Sequence, residues 1–177
     1  MQQNNRLLFK SIILGLALLV FSASLQDTRA AERHLAFAVS GIVTKILVKP
    51  GQTVAAGEAL AQLDTSNINS RLTAGKAALA AAETAHKIAS QHYAYALEQF
   101  EAVSLSKSEL DAAELEKSAA FAKLARITGK IEIGNWRLDH MTLRAPKAGK
   151  VVKIQGYKGM VVSLKASVST VITLDMP

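Results

Sequence analysis

Apolar positions along this chain change their spacing three times. Over residues 11–23 they form an almost unbroken block, SIILGLALLVFSA. Over about 66–138 they recur every three or four residues, the period of a helix that buries one face. On either side of that stretch, over 35–64 and 143–177, they sit in short β-branched runs punctuated by Gly, Pro and Lys, the pattern of short strands and tight turns. The chain therefore reads as a small β module interrupted by a long helical insertion.

The insertion predicts two alanine-rich helices with a reversal near Ser104, Leu105 and Ser106. Asp64, Thr65 and Ser66 offer side-chain oxygens to cap the outgoing helix. Its apolar or small positions run Ile68, Leu72, Gly75, Leu79, Ala82, then, after His86, Ala89, Tyr93, Ala96, Phe100 and Val103. The return helix opens on a capping box: the Ser106 oxygen accepts the amide three residues on, and Glu109 reaches back. Leu105 is placed to cover that cap. The return seam runs Leu110, Ala113, Lys117, Ala120, Leu124, Ile127, Ile131, Gly134 and Leu138, with Lys117 its one charged member. Such 3,4 spacing specifies a coiled coil or a long two-helix packing. At 1.5 Å per residue the two legs extend roughly 55 Å and 48 Å. Lone helices of this kind are marginal, but pairing buries the seam of each.

The flanking stretches repeat one another. At a constant offset of 108 residues, Leu35 falls on Leu143, Gly41 on Gly149, Val43 on Val151, Lys45 on Lys153 and Ile46 on Ile154. Gly51 then falls on Gly159, Val54 on Val162, Leu60 on Val168 and Leu63 on Val171. An internal repeat outranks other fold signals. Neither half has enough apolar surface to stand alone, so the two are expected to face each other as a flattened β-sandwich. Gly41 and Gly149 are expected where a side chain would clash or where φ is positive. Gly51 and Gly159 are turn glycines.

The block at 11–23 follows a polar start bearing Arg6 and Lys10 and ends in the small residues Ser22, Ala23 and Ser24. That is the plan of a secretory signal. An uncleaved anchor or a buried helix also fits the run, which is short against the roughly 20 residues that span a bilayer. We assign 1–24 to a signal peptide or N-terminal anchor, 25–34 to a linker, 35–64 and 141–177 to the β module, and 65–140 to the hairpin.

Composition narrows the function. A length of 177 residues allows one domain or one and a half. With only 5% aromatic residues, thin helical packing suits the chain better than a broad core. The absence of cysteine excludes a disulfide scaffold, a thiol nucleophile, a cysteine metal site and a lipid on an N-terminal cysteine. The net charge of +7 includes Arg6 and Lys10, and the other basic residues are spread along strands and helices. No basic patch with stacking aromatics marks a nucleic-acid surface. His34, His86, His92 and His140 show no HxxxH or HExxH spacing. No GxSxG elbow and no GxxxxGK[ST] loop occur. Neither an enzyme nor a metal or cofactor site is expected; Trp136 and Arg137 read as a packing anchor at the hairpin base. Lys76, Lys87, Lys123 and Arg126 read as a solvated helix face or as side contacts with neighbouring subunits.

Three stretches carry a family resemblance: VSGIVTKILVKPGQTVAAGEALAQLD at 39–64, SLSKSELDAA at 104–113, and LRAPKAGKVVKIQGYKGMVV at 143–162. With the hairpin between them, the chain over about 35–174 resembles the periplasmic adaptor proteins, also called membrane fusion proteins or the HlyD family, of bacterial efflux pumps and type I secretion systems. The resemblance implies an α+β fold, a split lipoyl/biotinyl-like β-sandwich with an inserted antiparallel coiled-coil hairpin. It implies a homo-oligomer that bridges an inner-membrane transporter, of RND or ABC type, to an outer-membrane channel protein. The place implied is the periplasm, at the inner membrane of a Gram-negative bacterium. The β modules, 41–63 and 149–171, would pack side by side.

The duct contact would be the tip, residues 99–108, with Gln99, Phe100, Val103, Ser104 and Ser106. Members that dock a trigonal duct carry an arginine, a leucine and a serine there. Ser106 matches the serine, while Tyr95 and Gln99 stand in the other two places, which leaves the identity of the duct open. Full adaptors continue into a β-barrel and a membrane-proximal domain, so the expectation is a truncated or minimal adaptor, or a fragment. A non-conducting interaction protein is the alternative. A carrier subunit is a third, but carriers display their modified lysine at the turn between the halves. Here the hairpin replaces that turn, and Lys147, Lys150 and Lys153 lie elsewhere.

Overall fold

The computed structural model describes residues 31–165 and 169–176. The expected leader or anchor at 1–24 and Val168, the expected counterpart of Leu60, lie outside the described residues. In chain order the elements are β1 (Ala31–Leu35), β2 (Gly41–Ile46), β3 (Thr53–Val54), β4 (Ala59–Leu63), α1 (Ser66–Glu101), α2 (Lys107–Asp139), β5 (Thr142–Arg144), β6 (Gly149–Ile154), β7 (Val161–Val162) and β8 (Ile172–Met176). Residues 31–34, expected to end a linker, form β1, because β8 offers them a full antiparallel partner from Ala31–Met176 to Leu35–Ile172.

The strands make two four-stranded antiparallel sheets, ordered β1-β8-β6-β3 and β5-β4-β2-β7. Each sheet draws on both halves of the chain, so the halves are interleaved rather than merely stacked. β2 pairs with β7 through Gly41–Val162, and β6 pairs with β3 through Gly149–Val54. The hydrogen bonds repeat the relation. Gly51 N–H donates to the Val151 carbonyl at 2.8 Å, and Gly159 N–H to the Val43 carbonyl at 2.7 Å. Val151 N–H donates to Gln52 at 2.8 Å, and Val43 N–H to Met160 at 2.9 Å. Each half thus satisfies backbone groups of the other, which neither could do alone.

The third strand departs from the sequence alignment. Val43 sits opposite Leu63 and Val151 opposite Leu174, each followed by a bulge in the same place. The structural counterpart of Leu63 is therefore Leu174, not Val171. The second half has three more residues before its last strand, and pairing, not sequence offset, sets the register. Leu60, Leu63, Val43, Val54, Val151, Val171, Ile172 and Leu174 form the centre of the core, each at most 2% exposed. Burying a side chain of this size contributes roughly 1.5–3 kcal/mol.

Where β4 ends, Asp64 Oδ1 accepts the Ser66 amide at 2.9 Å, which takes up an amide at the helix entrance. The N-cap residue itself, Thr65, makes no side-chain cap bond. That bond to Ser66 lowers the Asp64 pKa. The helices then pack as a heptad pair. Buried or half-buried positions run Ile68, Leu72, Gly75, Leu79, Ala82, His86, Ala89, Tyr93 and Ala96 on α1, against Leu110 through Leu138 on α2 in the predicted spacing. His86 stays in the seam, its ring centroid 5.6 Å from that of Phe121. Lys117 is accommodated because its Nζ lies 4.4 Å from the Tyr93 ring centroid, a cation–π contact that keeps the ammonium at the seam edge. Gly134 admits close approach: a Cβ there would stand 2.7 Å from Leu72 Cδ2.

Candidate functional site: the hairpin tip

α1 ends in a backbone motif that fixes the tip. Ser104 N–H donates to the Gln99 carbonyl at 2.9 Å and Val103 N–H to the Phe100 carbonyl at 3.0 Å. These are the two bonds of a Schellman cap, whose turning residue takes a left-handed conformation and is usually glycine. Here that residue is Val103, at φ 54°. A β-branched side chain in this region is a steric outlier costing on the order of 1–3 kcal/mol. Val103 is also 92% exposed, so no burial offsets the strain. The Ser104 hydroxyl donates to the Ala102 carbonyl at 3.2 Å and tightens the same turn.

The return side begins with the predicted capping box. Ser106 accepts the Glu109 amide on its hydroxyl, and the Glu109 carboxylate accepts the Ser106 amide at 2.9 Å. The same carboxylate accepts the Ser106 hydroxyl proton at 2.6 Å. These bonds, from the side chain first and the backbone second, hold the Glu109 carboxyl below its ordinary pKa. Leu105 and Leu110, both half-buried, occupy the staple positions on either side of the cap. Ser106 is therefore spent within the chain: its hydroxyl builds the helix start.

The expected tip residues do not form one cluster. Gln99 lines a shallow groove of about 350 Å³ with His92, Tyr95, Leu105, Glu109 and Glu116. Phe100 and Val103, expected in the seam, are 37% and 92% exposed instead. The facing helix starts only at Lys107, so the seam has no partner beyond Leu110. Ser104 and Ser106 belong to the caps. His92 and Glu116 complete the groove wall by a hydrogen bond between the two helices, His92 Nδ1 to Glu116 Oε2 at 2.9 Å. Sequence reasoning passed over that pair, although the two residues lie one turn beyond the seam positions Ala89 and Ala113.

The four singled-out glycines serve the β module. Gly51 and Gly159 turn the chain at φ 82° and 92° with open space where a side chain would stand. At Gly41 and Gly149 the constraint is close approach. A Cβ at Gly149 would meet the Asp175 carbonyl oxygen at 2.5 Å, and one at Gly41 would meet Leu63 Cδ1 at 3.1 Å.

The chain thus builds a β-sandwich from two interleaved half-motifs, opened by a capped two-helix hairpin. The family model described as "RND MFP, barrel-sandwich hybrid domain" matches residues 34–174. This chain belongs to the RND membrane fusion proteins. That is a family of adaptors, not of enzymes. Solved membrane fusion proteins share the fold. The Spr0693 structure from Streptococcus pneumoniae R6 superposes at TM-score 0.65 with 20% identity, over 84% of this chain and 61% of that one. The MacA–MexA chimera bearing the Pseudomonas aeruginosa MexA α-hairpin gives TM-score 0.54 and 22% identity, over 82% and 46%. ZneB from Cupriavidus metallidurans gives 0.55 and 16%, over 85% and 45%. The chain thus spans about half the length of these structures, between 45% and 61%. A sequence search of curated proteins finds no match. Among the described residues of this membrane fusion protein, no helix is long and apolar enough to cross a membrane.

Proposed function

We propose that this chain is the periplasmic adaptor of a tripartite efflux or secretion system. In that role it sits at the inner membrane of a Gram-negative cell and bridges a transporter of RND or ABC type to an outer-membrane channel protein. Several copies stand side by side through their β modules, and the chain aligns and seals the conduit while the transporter supplies the energy. The observation that carries this reading is Val103. A rigid two-helix arm ends in an apolar side chain held 92% exposed in a conformation that valine avoids. Backbone strain of this kind, held without compensating burial, gathers at functional contacts. Around it, Gln99 and Phe100 present the last turn of α1, while Ser104 and Ser106 hold the shape of the turn.

The test is photo-crosslinking in a Gram-negative host from a probe placed at Ser104, followed by mass spectrometry of the adducts. Capture of an outer-membrane channel protein supports the reading. If the chain is exported and folded but no channel protein is captured, the tip contact is wrong.

A further inference from the structure

One face of the hairpin carries a charge gradient along its length. On α2 the residues Glu109, Glu116, Lys123, Lys130 and Arg137 follow one another at intervals of seven. In a heptad-packed helix such residues stand along a single edge. This edge is acidic towards the tip and basic towards the base. The grooves of the hairpin confirm that both ends open on the same face. The tip groove is lined by His92, Gln99, Glu109 and Glu116, and a base groove by Arg71, Ala78, Lys130 and Arg137. On α1 these positions are again separated by multiples of seven. Between the grooves this α1 edge carries the small, exposed residues Ala78 and Ala85, so another helix can lie close.

The two ends also differ in shape. The base groove shares Ile68, Arg71 and Arg137 with a cleft of about 660 Å³ between the hairpin and the β module, lined by Val39, Ile42, Trp136 and Met141. Trp136 is 50% exposed at that cleft, and at the far end of the arm Val103 projects 92% exposed. The tip end offers a projecting apolar side chain, and the base end a hollow with Arg71 and Arg137 on its wall together with Asp64.

We propose that this face is covered by a second copy of the chain laid antiparallel to the first, with the two-fold axis at Lys123. In that register Glu116 of each copy meets Lys130 of the other, and Glu109 meets Arg137. Four opposite-charge contacts then outnumber the single Lys123–Lys123 approach on the axis. The tip lies beside the partner's hairpin base, and Val103 reaches the base cleft. The interface is isologous, so it closes at two copies. A parallel arrangement of the same faces places Glu109 on Glu109 and Arg137 on Arg137. The self-paired form covers the tip, so it excludes any docking of that tip elsewhere and acts as a resting state. It rests on the charge order and the two clefts, not on the duct reading.

The native chain has no cysteine, so an introduced one is a unique reporter. Full-length Glu116→Cys and Lys130→Cys chains, differently tagged, are mixed and treated with a short thiol-to-thiol crosslinker. The expected product is the mixed 116–130 pair, with little 116–116 or 130–130, and Lys123→Cys alone gives a homodimer. In sedimentation velocity, Glu116→Lys should weaken dimerisation about tenfold, since one substitution alters two contacts. Adding Lys130→Glu should restore it, and raising salt should weaken the native dimer. Glu109 is left intact because it caps α2. Predominant like-with-like crosslinks, or no 116–130 product from chains whose helicity is intact by circular dichroism, overturns the proposal. So does failure of the double charge swap to recover the dimer.

Discussion

Gly41 and Gly149 occupy equivalent places in the two halves, yet replacing each by alanine should have unequal effects. At Gly149 the added methyl carbon would lie 2.5 Å from the Asp175 carbonyl oxygen and 2.9 Å from Met176 Cγ. The first of these is backbone in β8, which pairs with β6 on one side and β1 on the other. Neither strand can withdraw without breaking ladder bonds. At Gly41 the nearest atom is Leu63 Cδ1, at 3.1 Å, a side-chain end that can rotate by a few tenths of an ångström. The asymmetry arises because β8 runs on to Met176, whereas β4 stops at Leu63 and the chain leaves for α1. Overpacking against atoms that cannot move costs about 2–3 kcal/mol, while the relieved contact should cost under about 1 kcal/mol. For a chain of this size 1 kcal/mol moves Tm by about 2–4 °C, so Gly149→Ala should lower Tm by about 4–12 °C and Gly41→Ala by under about 4 °C. Differential scanning calorimetry on the two variants, with Trp136 fluorescence as a second probe, measures the difference. Equal shifts, or a larger shift at Gly41, would refute the claim that backbone immobility decides the cost.

Val103→Gly relieves a left-handed valine without loss of burial, at the cost of extra unfolded-chain entropy. A net gain of about 1 kcal/mol is expected, read as a Tm rise of about 2–4 °C, together with weaker capture of partners from the tip. Ser106→Ala should remove about 1 kcal/mol by deleting the N-cap acceptor, visible in urea unfolding followed at 222 nm. Because the folded Glu109 pKa lies below its ordinary 4.5, the stability it contributes is present above that value and is lost as pH falls through the folded pKa. Hairpin stability should therefore decline on acidification below about pH 4.5. Glu109→Gln should flatten that part of the profile, and an unchanged profile would show that the cap does not titrate with folding. Leu60→Ala, at a core position 0% exposed, should cost about 2–5 kcal/mol in denaturant unfolding.

Features that depend on neighbours in sequence were legible without coordinates. The capping box at Ser106 and Glu109, the seam from Ile68 to Ala96 and back from Leu110 to Leu138, and the matching halves up to Val54 and Val162 are all local patterns. Helix period, cap chemistry and turn glycines act over a few residues, so the residues themselves specify them. What depended on distant partners was not legible. The exchange of strands between the halves was decided by which backbone groups remained unpaired once each half had folded against the other. The counterpart of Leu63 shifted from Val171 to Leu174 because strand register follows hydrogen bonding across the sheet, not residue count. Residues 31–34 became a strand only because β8 lay beside them. At the tip, the same 3,4 spacing that correctly placed Ala96 in the seam misplaced Phe100 and Val103. Periodicity says which face a residue is on, but only the facing helix, which starts at Lys107, decides whether anything covers it.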